Sequence, residues 1–135
     1  EDYKFYGVFD GHCGTRAAKF ASRALHRNLE LFLNTAHLSH HDEREHVDRN
    51  ALVERAVREA FRQTQTDFLQ LALKRQQHSS EGLSGDGAYI TPAGTVGRVD
   101  GGWIETVHGT TATVALVYPD VTVVAHVGDS RAVMC

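Results

Sequence analysis

The sequence contains little sulfur and little proline. It has two cysteines, Cys13 and Cys135, two prolines and one methionine, Met134. Two cysteines cannot form the disulfide framework of a small secreted domain, so we expect a reducing, intracellular compartment. No apolar run reaches the roughly 18 residues of a membrane-spanning helix, and we expect no membrane-spanning segment. The net charge of −3 gives no reason to expect a nucleic-acid partner.

The remaining composition is that of a folded domain. Of the 135 residues, 41% are hydrophobic and 23% are charged, and the length suits one domain. The only methionine is residue 134, and the chain stops within the apolar stretch "SRAVMC", which we interpret as a strand. We therefore expect the chain to be part of a longer protein, with part of any active site outside it.

Apolar periodicity predicts an α+β chain. Residues 3–9 are aromatic and valine-rich and predict a strand that stops at Asp10 and Gly11. Residues 15–33 predict a helix that Thr15 caps, and the polar residues after it predict a connection. A second helix should begin at Asp48 or Asn50 and pack antiparallel to the first. Its apolar stripe comprises Val53, Ala56, Val57, Ala60, Phe61, Thr64, Phe68, Leu71 and Ala72.

The second half of the chain is rich in glycine and then in β-branched residues. Residues 79–106 are long for a connection and predict an inserted loop, in which "DGAYI" and "GGWIETV" form a small hairpin. "TTATVALVY" and "VTVVAHV" predict two strands joined by a turn at Pro119 and Asp120. A third strand, "SRAVMC", should follow Gly128 and Asp129.

Two predicted strands end on an acidic residue beside a glycine. Asp10 precedes Gly11, and Asp129 follows Gly128. A carboxylate at the end of a buried strand is costly unless it is paired or binds a cation, and glycine lets backbone carbonyls approach a ligand. These oxygen donors suit Mg²⁺ or Mn²⁺. Asp-Gly after a strand is more often only a turn, so the pattern alone leaves both readings open.

Three stretches together resemble a known family. "FYGVFDGHCG", "HGTTATVAL" and "VAHVGDSRAVMC" are similar, in this order, to successive motifs of the metal-dependent Ser/Thr protein phosphatases of type 2C. The resemblance covers the chain apart from residues 79–106. It implies a β-sandwich of antiparallel sheets flanked by helix pairs, in four layers. This chain would contain an incomplete part of that fold, with one helix pair.

The resemblance also implies roles for individual residues. In this family, water activated by two core metal ions, Mg²⁺ or Mn²⁺, attacks the phosphorus of a phosphoprotein substrate. Asp10 matches the carboxylate that bridges both ions, and Gly11 matches the glycine whose carbonyl binds one of them. His12 matches the proposed general acid, and Asp129 matches a ligand of a third, weaker ion. Other metal ligands and the phosphate-binding arginine of the family lie outside the chain, so we expect residues 1–135 alone to be inactive and prone to self-association.

Other functions were weighed against this one. A cysteine-dependent phosphatase needs an arginine six positions after Cys13, where Lys19 stands. The "GDS" of residues 128–130 resembles a serine-esterase motif, but it occurs late in the chain and before Arg131. The clustered histidines of the polar connection lack the spacing of a zinc site: His37, His40, His41 and His46. The remaining alternative is a pseudophosphatase, a regulatory scaffold of the same fold.

Overall fold

A computed structural model describes residues 3–39, 48–79, 88–90, 96–98, 108–133 and 135. No helix in these ranges is long and apolar enough to span a membrane. In chain order the elements are β1 (Lys4–Val8), β2 (Gly11–His12), α1 (Arg16–Ser39), α2 (Arg49–Ser79), β3 (Ala88–Ile90), β4 (Val96–Arg98), β5 (Gly109–Thr110), β6 (Ala112–Val117) and β7 (Thr122–Val127). The prediction of an α+β chain with one helix pair and antiparallel sheets is confirmed.

The main sheet has three strands with β6 at its centre. The strand order is β1-β6-β7, and both pairings are antiparallel. Phe5 and Val123 lie on either side of Leu116 in the register. β6 alternates between buried and half-buried residues, which is the pattern of a strand covered on one face. Two-stranded ladders join β2 to β5 and β3 to β4.

Helix α1 is longer than its apolar pattern predicts. It ends at Ser39, whereas the sequence analysis placed its end near Leu33 and assigned the following residues to a connection. That assignment was wrong for residues 34–39, because this stretch of polar residues with Ala36 and Leu38 contains neither the proline nor the glycine that commonly ends a helix. At the other end, the carbonyl of Thr15 accepts the amide hydrogen of Lys19, as expected of the residue that precedes a helix.

Helix α2 begins where the sequence predicts. The Oδ1 atom of Asp48 accepts a hydrogen bond from the amide of Asn50 at 2.9 Å, so Asp48 is the cap. The predicted stripe is buried at Val53, Ala56, Val57, Ala60 and Thr64. The buried Leu69 was missing from it.

The helix pair packs against one face of the main sheet. Asn28 donates a hydrogen bond to Thr64, and Phe20 stacks against Phe68, so contacts in α2 move toward its C-terminus as those in α1 move toward its N-terminus. The helices are therefore antiparallel, as predicted. The core beneath them includes Leu29 and Leu116, whose exposed fractions are 2% and 0%. Burying each leucine contributes about 1.5–3 kcal/mol before entropy is counted.

The opposite face of the sheet is uncovered within the described residues. Tyr6 and Val124 flank Ala115 in one cross-strand row, and Val8 belongs to the next row. The exposed fractions of Tyr6, Val124 and Val8 are 57%, 49% and 66%. The sheet therefore presents an apolar face on the side away from the helices.

Two predictions about strands were wrong. The described hairpin pairs Ala88–Ile90 with Val96–Arg98, a partner that the sequence analysis did not predict, and the predicted partner "GGWIETV" lies outside the described residues. The closer strand requires a shorter loop and is entropically easier to pair. Residues 130–133 form no strand, because no described strand extends alongside them, and Val133 is 84% exposed.

A polar and aromatic cluster joins α2 to the turn between β6 and β7. The guanidinium of Arg49 lies 4.6 Å from the ring centroid of Tyr118 and contacts the carboxylate of Asp120 at 3.1 Å. Tyr3 packs against Tyr118 with 5.5 Å between ring centroids. Burial raises the pKa of Tyr3, and the negative charges of ionised Tyr118 and of Glu30 raise it further.

The raised pKa of Tyr3 predicts a loss of stability in alkali. Its contribution is fully present below the unfolded pKa of about 10 and is lost as the pH rises through the higher folded pKa. Urea unfolding of the full-length protein at about pH 8 and about pH 11 should therefore show a smaller alkaline loss for Tyr3→Phe than for wild type. Tyr6→Phe, which removes an exposed hydroxyl, is the control. Equal losses in all three proteins contradict the prediction.

Candidate metal centre

The sheet topology places the ends of two strands, each followed by an aspartate, at the same edge of the sheet. Because β1 and β7 are both antiparallel to β6, they run parallel to each other on either side of it. Asp10 follows β1, and Asp129 follows β7, so both lie at the edge of the sheet where β6 begins. Thr111, the residue before β6, lies between them.

Thr111 connects the two strand ends by hydrogen bonds. Its amide donates to the carbonyl of Asp10 at 2.8 Å, and its hydroxyl accepts from the amide of Asp10 at 3.3 Å. The same hydroxyl lies 2.8 Å from the hydroxyl of Ser130. The side chain of Thr110 donates to the Asp10 carbonyl as well, at 3.1 Å. The backbone at Asp10 is thus held from two sides, and Thr111 is buried.

The turn after β7 passes closely over the same threonine. Gly128 has a φ of 96°, which disfavours any residue with a side chain. A Cβ atom at this position would lie 2.8 Å from Cγ2 of Thr111. Glycine is therefore required here by both conformation and space, and it places Asp129 at the sheet edge beside Thr111.

The two carboxylates are available to a ligand. Asp10 and Asp129 are exposed, and neither side chain forms an ion pair or hydrogen bond within the described ranges. Carboxylates are hard donors, so this donor set fits Mg²⁺ or Mn²⁺ better than a soft metal. The part of the chain that the structure describes holds no group of three or more metal-binding side chains. Two carboxylates alone do not complete a six-coordinate site.

Gly11 and His12 form β2, directly after Asp10. Gly11 pairs with Thr110 and His12 with Gly109 in the ladder with β5. The imidazole of His12 lies against Gly109, where a Cβ atom would overlap the ring. β2 therefore fixes the direction in which His12 leaves the backbone, one residue from the predicted carbonyl ligand.

His12 also lines a cleft of about 490 Å³ between the helix pair and the strands. The cleft is mainly apolar, and Phe20, Phe61 and Phe68 contribute to its wall. Neither Asp10 nor Asp129 lines it. We therefore assign the cleft to packing between the layers and distinguish it from the candidate metal centre.

The turn between β2 and α1 holds Cys13 in an unfavourable backbone conformation. Cys13 has a φ of 56°, in the left-handed region where glycine is favoured. A residue with a side chain costs about 1–2 kcal/mol there relative to a strain-free conformation. The thiol is exposed.

The sequence analysis did not predict three residues that contact the candidate centre or line the cleft. In the sequence analysis, Thr111 occurs only within the stretch "HGTTATVAL", and Ser130 only within a rejected esterase motif. His108 was not singled out, yet it lines the cleft together with His12. Its Nδ1 atom is buried with no hydrogen-bond partner among the described residues. No local signal marks these three residues, because their partners lie 19 to 101 positions away in sequence or are packing contacts.

The chain is similar in sequence to known phosphatases. The profile of the family described as protein phosphatase 2C matches residues 105–135. Integrin-linked kinase-associated serine/threonine phosphatase 2C of mouse and of human are each 28% identical over 131 residues, which is 97% of this chain. The chain is thus similar to proteins of the protein phosphatase 2C family over most of its length.

A plant member of the 2C family is similar over a shorter stretch. Probable protein phosphatase 2C 30 of Arabidopsis thaliana is 37% identical over 65 residues, or 48% of this chain and 15% of the relative. The chain spans about a quarter, 24%, of the length of the mouse and human relatives. No solved structure matches the chain. The chain therefore matches only part of each of these relatives.

The hydroxyl of Thr111 should be necessary for the geometry of this edge. Thr111→Val keeps the shape of the side chain but removes the hydrogen bonds of the hydroxyl to the Asp10 amide and to Ser130. We expect the unfolding free energy of the full-length protein to fall by about 1–3 kcal/mol in urea titration. Thr111→Ser keeps the hydroxyl and is the matched control. If both variants lose the same stability, packing of the methyl group and not the hydroxyl holds the edge.

Proposed function

We propose that this chain forms part of the catalytic domain of a Ser/Thr protein phosphatase that hydrolyses phosphoserine and phosphothreonine in phosphoproteins. The observation that carries the proposal is the pair of exposed carboxylates, Asp10 and Asp129, at one sheet edge of a chain that is similar to 2C phosphatases. A phosphomonoester has about −1.5 to −2 charges, so a site for it needs positive charge. The carboxylates alone repel the phosphate group, and bound cations make the charge of the site positive.

The proposed cofactors are two core ions of Mg²⁺ or Mn²⁺ and a third, weaker ion. Asp10 and the carbonyl of Gly11 would hold core ions, and Asp129 would hold the third. Bound divalent cations lower the pKa of a water molecule toward about 7 and so supply hydroxide at neutral pH. The ligands that complete these sites would come from outside the chain. Thr110 and Thr111 support the centre by fixing the backbone that carries the Asp10 carboxylate.

His12 is the proposed proton donor to the leaving group. A serine or threonine alkoxide is a poor leaving group, and an imidazolium near neutral pH can protonate it. The pairing of β2 with β5 supports this role, because it fixes the backbone orientation of His12, which follows Asp10 by two positions. A purely structural role is the competing explanation, since the ring also packs against Gly109. Experiments on both carboxylates and on His12 test the proposal.

Asp10 and Asp129 should differ in their importance to the full-length enzyme. Asp10→Asn keeps the shape of the side chain but removes the charge of a bridging ligand, so turnover should be abolished even at high Mn²⁺. Asp129→Asn should only reduce turnover and leave the core ions bound. Phosphopeptide hydrolysis and calorimetric Mn²⁺ titration measure the two effects. Loss of core-ion binding in Asp129→Asn would show that the roles are assigned wrongly.

The proposed acid role of His12 depends on the leaving group. A nitrophenolate departs without a proton, whereas a serine alkoxide does not. With metal at saturation, His12→Ala should lower kcat by about 10²–10⁴-fold on a phosphoserine peptide and much less on nitrophenyl phosphate. This comparison holds when chemistry limits both rates.

The same variant also tests the structural alternative. If His12 only packs against Gly109 and orients its neighbours, the two substrates should slow by similar factors and the affinity for Mn²⁺ should fall. Absence of turnover by the wild-type full-length protein on every phosphoprotein tested, with Mn²⁺ bound, would instead favour the pseudophosphatase.

We also propose that residues 1–135 alone are inactive and self-associate. Only two carboxylates are available at the described sheet edge, and the sheet face with Tyr6, Val8 and Val124 is exposed. Metal-dependent turnover by the purified chain would contradict the first statement. A monomer in analytical ultracentrifugation would contradict the second, and Val124→Lys should shift any oligomer toward monomer.

A further inference from the structure

Four basic residues form one stripe along the first half of α1. Arg16, Lys19, Arg23 and Arg27 are separated by three, four and four positions, so they lie on one face of the helix. All four are exposed, and the buried residues Ala17, Ala21 and Leu25 lie on the opposite face. At about 1.5 Å per residue, the stripe is about 16 Å long.

The positive charge of this stripe is not balanced locally. Glu30 is the only acidic residue of α1, and it lies beyond the stripe. Within the described ranges, none of the four basic residues forms an ion pair. Arg16 and Lys19 also occupy the first turn, where positive charge opposes the helix dipole. The arrangement is therefore electrostatically unfavourable to the isolated helix.

The second helix shows what balanced charge looks like in the same chain. Arg58 pairs with Glu54, and Arg62 pairs with Glu59, each at 2.7 Å. Arg58 and Arg62 are thus spaced to meet carboxylates one turn away. The stripe on α1 is also an exception within a chain whose net charge is −3. A general requirement for solubility does not explain four cations along one face of α1 without an acidic partner in the described ranges.

The stripe begins beside the candidate metal centre. α1 starts four residues after His12, and Ala18 lies close enough to Gly11 that a Cβ atom on the glycine would be 3.1 Å from that of the alanine. A substrate with its phosphoryl group at the centre could therefore extend along the stripe. An extended segment of about five residues covers 16 Å.

We propose that Arg16, Lys19, Arg23 and Arg27 form a docking surface for an acidic segment of the phosphoprotein substrate. The partner follows from charge complementarity: a flexible run of Asp and Glu next to the phosphorylated residue matches four exposed cations along one line. This identification of the partner as a substrate rests on the proposed phosphatase function. The docking of acidic peptide itself does not.

The first test measures docking without catalysis. Fluorescence anisotropy reports binding of a labelled hexaglutamate peptide, without phosphate, to the full-length protein at about 0.1 M salt. Lys19→Glu/Arg23→Glu should weaken binding about tenfold or more, and Lys19→Gln/Arg23→Gln should weaken it less. The matched control is Arg55→Glu/Lys74→Glu, which reverses the same two residue types at exposed positions of α2 and should change the affinity less than about twofold. Equal effects of the two reversals overturn the proposal.

The second test measures the consequence for substrate choice. Two phosphothreonine peptides differ only in six flanking residues, all Glu in one and all Gln in the other. The wild-type enzyme should have a lower KM for the Glu peptide, and the α1 charge reversal should remove this preference while kcat changes little, because remote contacts bind substrate and transition state alike. An unchanged preference overturns the proposal.

The outcomes separate this proposal from the proposed function. If the protein hydrolyses neither peptide but binds hexaglutamate through the stripe, docking stands and the phosphatase function fails. If both peptides are hydrolysed and the stripe has no effect, the function stands and docking fails. Phosphatidylserine vesicles and oligouridylate serve as other anionic probes. Stripe-dependent binding of either, without binding of the peptide, would assign the surface to a membrane or to RNA and overturn the proposal.

Discussion

The burial of β6 beneath the helix pair is the constraint on which the candidate site depends. Val114 and Leu116 project into the core formed with α1 and α2, and they are 2% and 0% exposed. Because side chains alternate along a strand, shifting β6 by one residue would turn both out of the core. The register of β6 is therefore strongly fixed, and with it the position of Thr111 at its beginning.

From that position, Thr111 holds the segments at Asp10 and at Asp129 close together, although they are far apart in sequence. Asp10 and Asp129 each follow a strand that pairs with β6, and each neighbouring backbone contacts Thr111. A core packing interaction thus becomes a positional constraint on two carboxylates. Such coupling suits a metal centre, because its ligands are like charges that repel one another until a cation is present. Without a cation, a rigid scaffold must hold the two carboxylates close together.

The sequence predicted the elements better than their ends and partners. The alternation in β6 and the stripe of α2 are local patterns, and both were recovered because burial imposes them residue by residue. The end of α1 was missed because residues 34–39 are mostly polar yet contain no helix-breaking residue. The partner of β3 and the absence of a strand at residues 130–133 depend on which segments lie nearby in space, and periodicity does not contain that information.

The same distinction applies to the site. Asp10, Gly11, His12 and Asp129 are predicted site residues because three motifs resemble a family, not because their spacing implies a metal. Thr111 and His108 act through contacts that a single sequence does not display. Charge is an intermediate case: the basic residues of α1 are visible in the sequence, but their meaning depends on exposure and on missing partners. Arg58 and Arg62 are equally basic, and only the structure shows that glutamates one turn away neutralise them. The stripe is informative because four cations share one exposed face of α1 without an ion pair within the described ranges, and because that face begins beside the candidate metal centre.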